Sequence, residues 1–148
     1  MYRRRFLMAV PPTVVAMSAR AADKMHRVAL QISDDTPDKM NAVLNVAANL
    51  ARYYTSRGEE VEIRIIAFNA GLNMLRTDRS PVLARLKTIS ESLPSVSFEA
   101  CANTRENIAR NEGKKPEEIP IYANARMVPS GVVSLIELNE QGWTIIRP

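Results

Sequence analysis

The 148-residue chain has one cysteine, Cys101, and one histidine, His26. A single thiol closes no intramolecular disulfide, and no C-x-x-C pair or Cys/His cluster is present to hold zinc. With His26 as the sole imidazole, Ser-His-Asp and Cys-His machinery is excluded unless that residue folds back onto the site. Glycine is scarce, at five residues, and none of them forms a G-x-G-x-x-G or Walker pattern. Nothing in the sequence calls for a metal, nucleotide or flavin.

Charge of one sign is also missing once the N-terminus is set aside. The chain opens MYRRRFLMAVPPTVVAMSARAADK, with a basic start, a short apolar stretch and the small-residue triplet Ala19, Arg20, Ala21. That is the layout of a cleaved signal peptide over residues 1–21. Phe6 to Ala19 is too short, and too interrupted by Pro11 and Pro12, to serve as a membrane span of roughly 20 apolar residues. No permanent membrane anchor is expected. Arg3, Arg4, Arg5, Phe6 and Leu7 read as R-R-x-F-L, the twin-arginine address for export of folded proteins, so the expected location is the periplasm. The leader holds four of the 20 Lys+Arg and no acid, which leaves 16 cations against 16 anions. Nucleic-acid binding needs clustered cations and is disfavoured, since the Lys114–Lys115 pair is followed at once by Glu117 and Glu118.

Residues 22–148 make 127, one domain able to bury roughly two-thirds of its unfolded surface without staples. Short apolar runs alternate with helical patterns, the mark of an α/β domain on a mainly parallel sheet. Strands are expected at Val28–Ile32, Val61–Phe68, Val96–Ala100, Arg126–Val128 and Trp143–Ile146. The first helix is capped by Thr36, begins at Pro37 and leaves through Gly58, with Met40, Val43, Leu44, Ala47, Leu50, Ala51 and Tyr54 on one stripe. A turn of helix is expected at Leu72–Leu75, a helix from Ser80–Pro81 through Ile89, another over Asn103–Asn111 with Gly113 as its exit, and a last one from Ser130 and Gly131 to Asn139.

Cys101 falls where the third strand meets the next helix, the edge at which open α/β sheets assemble ligand sites. Asn103 and Glu106 have capping-box spacing, which would start that helix two residues after the thiol. A thiol at the positive end of a helix dipole is favoured as thiolate. The other reading is packing: free cysteine is among the most buried residue types, and Phe98 and Ala100 adjoin it.

FEACANT at 98–104, with VALQISDD and MNAVLNVAANL before it, IIAFNAGLNML in the middle and VPSGVVSLIELNEQGWTIIRP after it, resembles the DsrE/DsrF-like (YchN-like) family of small sulfur-relay-type proteins. The likeness runs over about residues 26–148. It implies a three-layer α/β/α sandwich on a five-stranded parallel sheet, assembled as a homo-oligomer, trimer or hexamer, with sites near subunit contacts. It also implies that Cys101 carries sulfur as a persulfide between a donor and an acceptor protein. Asn103 and Thr104 match the motif of a branch to which no firm activity is attached.

Asp34 and Asp35 after the first strand, Asn69 and Gly71 after the second, and Ser130 and Gly131 before the last helix are expected on the same edge as Cys101. Each also has an ordinary role as turn former or cap. Two functions follow. The first is a periplasmic DsrE-like protein that binds or relays sulfur through Cys101 by thiol exchange. The alternative is a non-catalytic homo-oligomeric module that binds a small ligand or serves assembly, with Cys101 structural. The leader reading makes its own prediction: with Arg3→Lys and Arg4→Lys together, cell fractionation should find the protein retained in the cytoplasm, and unchanged export would remove the twin-arginine assignment.

Overall fold

A computed structural model describes residues 25–148, so the expected leader at residues 1–21 lies outside the described residues. The elements in chain order are β1 (His26–Ile32), α1 (Pro37–Ser56), β2 (Val61–Ala67), a 3-10 segment (Asn69–Leu75), α2 (Leu83–Ser92), β3 (Val96–Cys101), α3 (Ala102–Glu112), a 3-10 turn (Pro116–Glu118), β4 (Ala125–Val128), α4 (Gly131–Glu140) and β5 (Thr144–Ile146). The strands form one sheet in the order β4-β3-β2-β1-β5, parallel at every pairing. This is the expected α/β/α sandwich.

Strand order decides how the layers are filled. From β1 to β4 each connection steps one strand in the same direction, and a right-handed crossover then puts every intervening helix on the same face. The step from β4 to β5 runs back across the sheet, so its helix, α4, lies on the opposite face, where it packs across β1, β2, β3 and β5. The first face holds the main core: Leu30, Ile63, Ile65 and Phe98 from the strands, Met40, Leu44 and Ala47 from α1, and Leu86 from α2. The second face has a smaller cluster of Ala29, Ile66, Phe68, Cys101, Leu135, Leu138 and Trp143.

A single ten-residue helix is about 15 Å long and cannot cover the whole sheet. At its margin the second face turns polar. Glu99, 1% exposed, is met there by Arg64, Arg126 and the Ser134 hydroxyl, which donates at 2.6 Å. Arg64 in turn lies 4.5 Å over the Trp143 ring. On the outer side of α4, Val132, Val133 and Ile136 are each about half exposed.

α1 matches its expected face, and Thr36 accepts from the Lys39 N–H as its cap. Ser130 caps α4 as expected, accepting from Val133. Other boundaries shift. β1 begins at His26, whose ring stacks on Tyr54 at 3.9 Å and pairs with Glu59 at 2.7 Å, so the sole histidine is tied to the far end of the sheet from Cys101. α2 begins at Leu83, after a turn in which the Ser80 hydroxyl accepts from Val82. The expected Asn103–Glu106 capping box is absent: β3 continues to Cys101, which is itself the N-cap, and Asn103 is already inside the first helical turn, its N–H donating to Pro129.

Gly71 is where the 3-10 segment touches the sheet. A Cβ there would lie 2.3 Å from the Ile32 carbonyl oxygen and 2.6 Å from its carbon. The atoms it meets are backbone, which cannot rotate away. Gly71→Ala should therefore cost about 1–3 kcal/mol, at the upper end of that range. Denaturant unfolding beside the unchanged protein checks this, and equal midpoints would contradict the contact.

Candidate functional site

The C-terminal ends of β1, β2, β3 and β4 carry all the residues singled out by the sequence, and the sheet divides them into two groups. On the side of α1–α3 stand Asn69, Gly71 and Thr104. On the side of α4 stand Cys101, Ser130 and Gly131. A Cβ on Gly131 would lie 2.9 Å from the Phe68 Cβ, so α4 starts in close contact with the end of β2. Asp34 pairs with Arg147 at 3.1 Å on the surface, and Asp35 accepts from the Asn73 amide at 3.0 Å.

Cys101 is buried, 4% exposed, among Ala29, Ile66, Phe68 and Leu135. It is the N-cap of α3, yet its side chain makes no capping bond. A buried thiol in apolar surroundings packs as a small hydrophobe, and reactive thiols sit in partly exposed sites.

The other group opens onto a cleft of about 330 Å³ between the 3-10 segment and α3. Asn69, Asn73, Thr104, Asn107 and Asn111 supply neutral polar groups, Ala70 and Ile108 an apolar floor, and Arg76, Arg79 and Glu112 one end. Its frame begins at Asn69, which has φ 50°, a left-handed conformation that Asn tolerates better than most residues. Its N–H donates to the Thr104 hydroxyl at 3.0 Å, joining the end of β2 to the first turn of α3.

Arg76 anchors the end wall. It is 1% exposed and donates to both oxygens of Asp78, at 3.0 and 2.8 Å, and to Glu112 at 2.7 Å. Backbone pairing with Ile121 and the bond from Tyr122 N–H to Leu75 carbonyl hold the segment in place. The ion pairs shift every partner: Arg76 is raised, chiefly by the Asp78 bonds, and Asp78 is lowered, chiefly by Arg76. Hydrogen bonding from Arg76, and then from Lys114, holds the Glu112 carboxyl down at about 2.

Arg76, Asn73, Asn107, Asn111 and Glu112 were not singled out from sequence. A trace was there in the last helix but one: Thr104, Asn107 and Asn111 recur at three and four, a neutral polar stripe on one helical face.

No protein-family model and no curated protein matches the chain. Among solved structures it is similar to that of a protein of unknown function, MTH1491, from Methanobacterium thermoautotrophicum, with 27% identity and a TM-score of 0.68. The likeness covers 83% of this chain and 99% of that one. No helix among the described residues is long and apolar enough to cross a membrane, and none of their His, Cys, Asp and Glu side chains group as metal ligands.

The Arg76–Glu112 pair sets a pH dependence. Because the folded carboxyl is lowered from its ordinary 4.5 to about 2, its stabilising contribution is complete above pH 4.5 and is lost as pH falls through about 2. Thermal melts should show Glu112→Gln less stable near neutrality, with the gap to the unchanged protein closing across that acid window. A gap that stays constant with pH would contradict the assignment.

Proposed function

We propose that this chain is a subunit of a homo-oligomeric, exported DsrE-like binding module that takes a small ligand in the strand-end cleft, with Cys101 serving the core. The observation that carries the reading is the split at the sheet edge. The thiol is 4% exposed within an apolar cluster, while the polar cleft lies on the other side and does not include it. Assembly as trimer or hexamer rests on the family resemblance, and the half-exposed Val132, Val133 and Ile136 on α4 are in keeping with a covered face. Export to the periplasm rests on the leader, and the balanced charge speaks against a nucleic-acid partner.

One observation favours the sulfur-relay reading: Cys101 stands at the C-terminal end of β3 and at the head of α3, where free amide N–H groups favour an anion. In that reading the Cys101 thiolate attacks the outer sulfur of a donor persulfide and the donor thiolate leaves. An acceptor thiolate then attacks the outer sulfur on Cys101, and the Cys101 thiolate leaves in its turn. Each exchange conserves electrons, and no intramolecular disulfide competes. Access requires Leu135 and α4 to withdraw from the thiol.

Intact mass after polysulfide treatment, together with maleimide labelling, separates the two. The binding-module reading expects no added sulfur on the folded protein and labelling only after unfolding. Stable added sulfur that disappears in Cys101→Ser would establish Cys101 as a sulfur carrier and displace it.

A further inference from the structure

We infer that the cleft between the 3-10 segment and α3 takes a small monocarboxylate, held through its charged group by Arg79; this rests on the binding-module reading. Three features lead there.

The first is a guanidinium with donors to spare. Arg79 lines the cleft, and its side chain is 57% exposed. Its one ionic contact runs from Nη2 to Glu112 Oε1 at 3.3 Å, and that oxygen already accepts from Arg76 at 2.7 Å. Arg76, by contrast, is buried and has its donors committed to Asp78 and Glu112. The planar fork of an arginine matches a carboxylate with two parallel N–H bonds. Within this wall Arg79 is the side chain able to supply them.

The second is the balance of charge. Arg76 pairs with Asp78 and Glu112, and Glu112 also meets Arg79 and Lys114, so three cations face two anions. Arg110, on Asn107, adds a cation, and Asp35, on Asn73, an anion. One positive charge is left over, which a single carboxylate neutralises. A dianion would set its second charge against Glu112 and Asp35 with no further cation to meet it.

The third is what accompanies Arg79 on the accessible wall. Asn107 and Asn111 stand one turn apart on α3, both exposed and both lining the cleft. The Asn107 Oδ1 accepts from Arg110, which only donates, so Nδ2 is the group this amide has left for a ligand. The Asn111 amide can present its own Nδ2 in the same way. Both can thus donate to a carboxylate, whose two oxygens only accept. Ala70 and Ile108 provide an apolar patch for a short carbon chain. The volume of about 330 Å³ lies at the lower end of the roughly 300–1,000 Å³ of ligand sites, which suits one small molecule.

Isotope-labelled full-length protein titrated with acetate, lactate and butyrate at constant chloride tests this by side-chain amide and arginine Nε–H chemical shifts. Parallel titrations use phosphate and glycerol. Saturable shifts of Arg79, Asn107 and Asn111 with at least one carboxylate, at a Kd of about 1 mM or tighter, are expected. Arg79→Gln, which removes the charge at an exposed position, should weaken that binding about tenfold. Arg79→Lys keeps the charge without the fork and should fall between the two. Carboxylate binding unaltered in Arg79→Gln would overturn the placement. Shifts in these residues with phosphate or glycerol and with no carboxylate would overturn the ligand class while leaving the cleft as the site of the binding module. No response to any of the probes would overturn both the inference and the binding-module reading.

Discussion

Right-handed crossover is the constraint on which this architecture turns. Three successive connections advance in one direction along the sheet, so α1, α2 and α3 share a face with both 3-10 stretches, and the single return connection sends α4 alone to the other. The inequality of the layers follows, and with it the chemistry of the second face. Where α4 covers it, the sheet shows Ala29, Ile66 and Cys101; where α4 does not reach, the same strands show Glu62, Arg64 and Ser97. Glu99 stands at the boundary, and removing one partner of such a buried carboxylate costs about 3–5 kcal/mol. The charged cluster is the border between a dry half and a wet half of one surface.

The main face places the cleft. After β2 the chain drops into the 3-10 segment instead of entering a helix directly, and Gly71 lets that segment lie against the end of β1. Leu72, Met74 and Leu75 enter the core and leave Asn69, Asn73 and Arg76 along the cleft side of the same segment. Core packing thus fixes the polar groups from behind. Arg76 then reaches across to Glu112 at the last turn of α3, so the far end of the cleft is closed by an ion pair whose guanidinium is buried. Such a frame is preorganised, which reduces what ordering a ligand costs.

Sequence pattern revealed what depends on local periodicity and missed what depends on meetings between distant segments. α1 was legible because Met40, Val43, Leu44 and Ala47 repeat at helical spacing between a Thr-Pro start and a glycine exit. The strands were legible as short β-branched runs, and Ser130 as the cap of α4. The start of α3 was misplaced because Asn103 and Glu106 have cap spacing, whereas the parallel pairing of Cys101 with Val128 carries β3 further and leaves no room for a separate cap. His26 looked like a residue of the leader junction because its partners, Tyr54 and Glu59, lie about thirty residues away in sequence. Asn69 and Thr104 were placed at the right edge, but their division from Cys101 by the sheet depends on which side each strand-end residue faces. The Arg76–Glu112 pair spans 36 positions and has no local signature.

The Glu99 cluster also bears on the order in which the chain can be completed during synthesis. Glu99 leaves the ribosome well before its partners Arg126 and Ser134, the latter 35 residues later. Until they arrive, a chain compacted on its first face would hold a carboxylate with only Arg64, from β2, to meet it. Early closure of the second face is therefore opposed by the same desolvation cost that the finished cluster offsets. The α1–α3 side can assemble first while β3 keeps its charged residue in water. α4 arrives as the element that allows Glu99 to leave it, making the docking of one short helix the closing step of a sheet laid down from its other face.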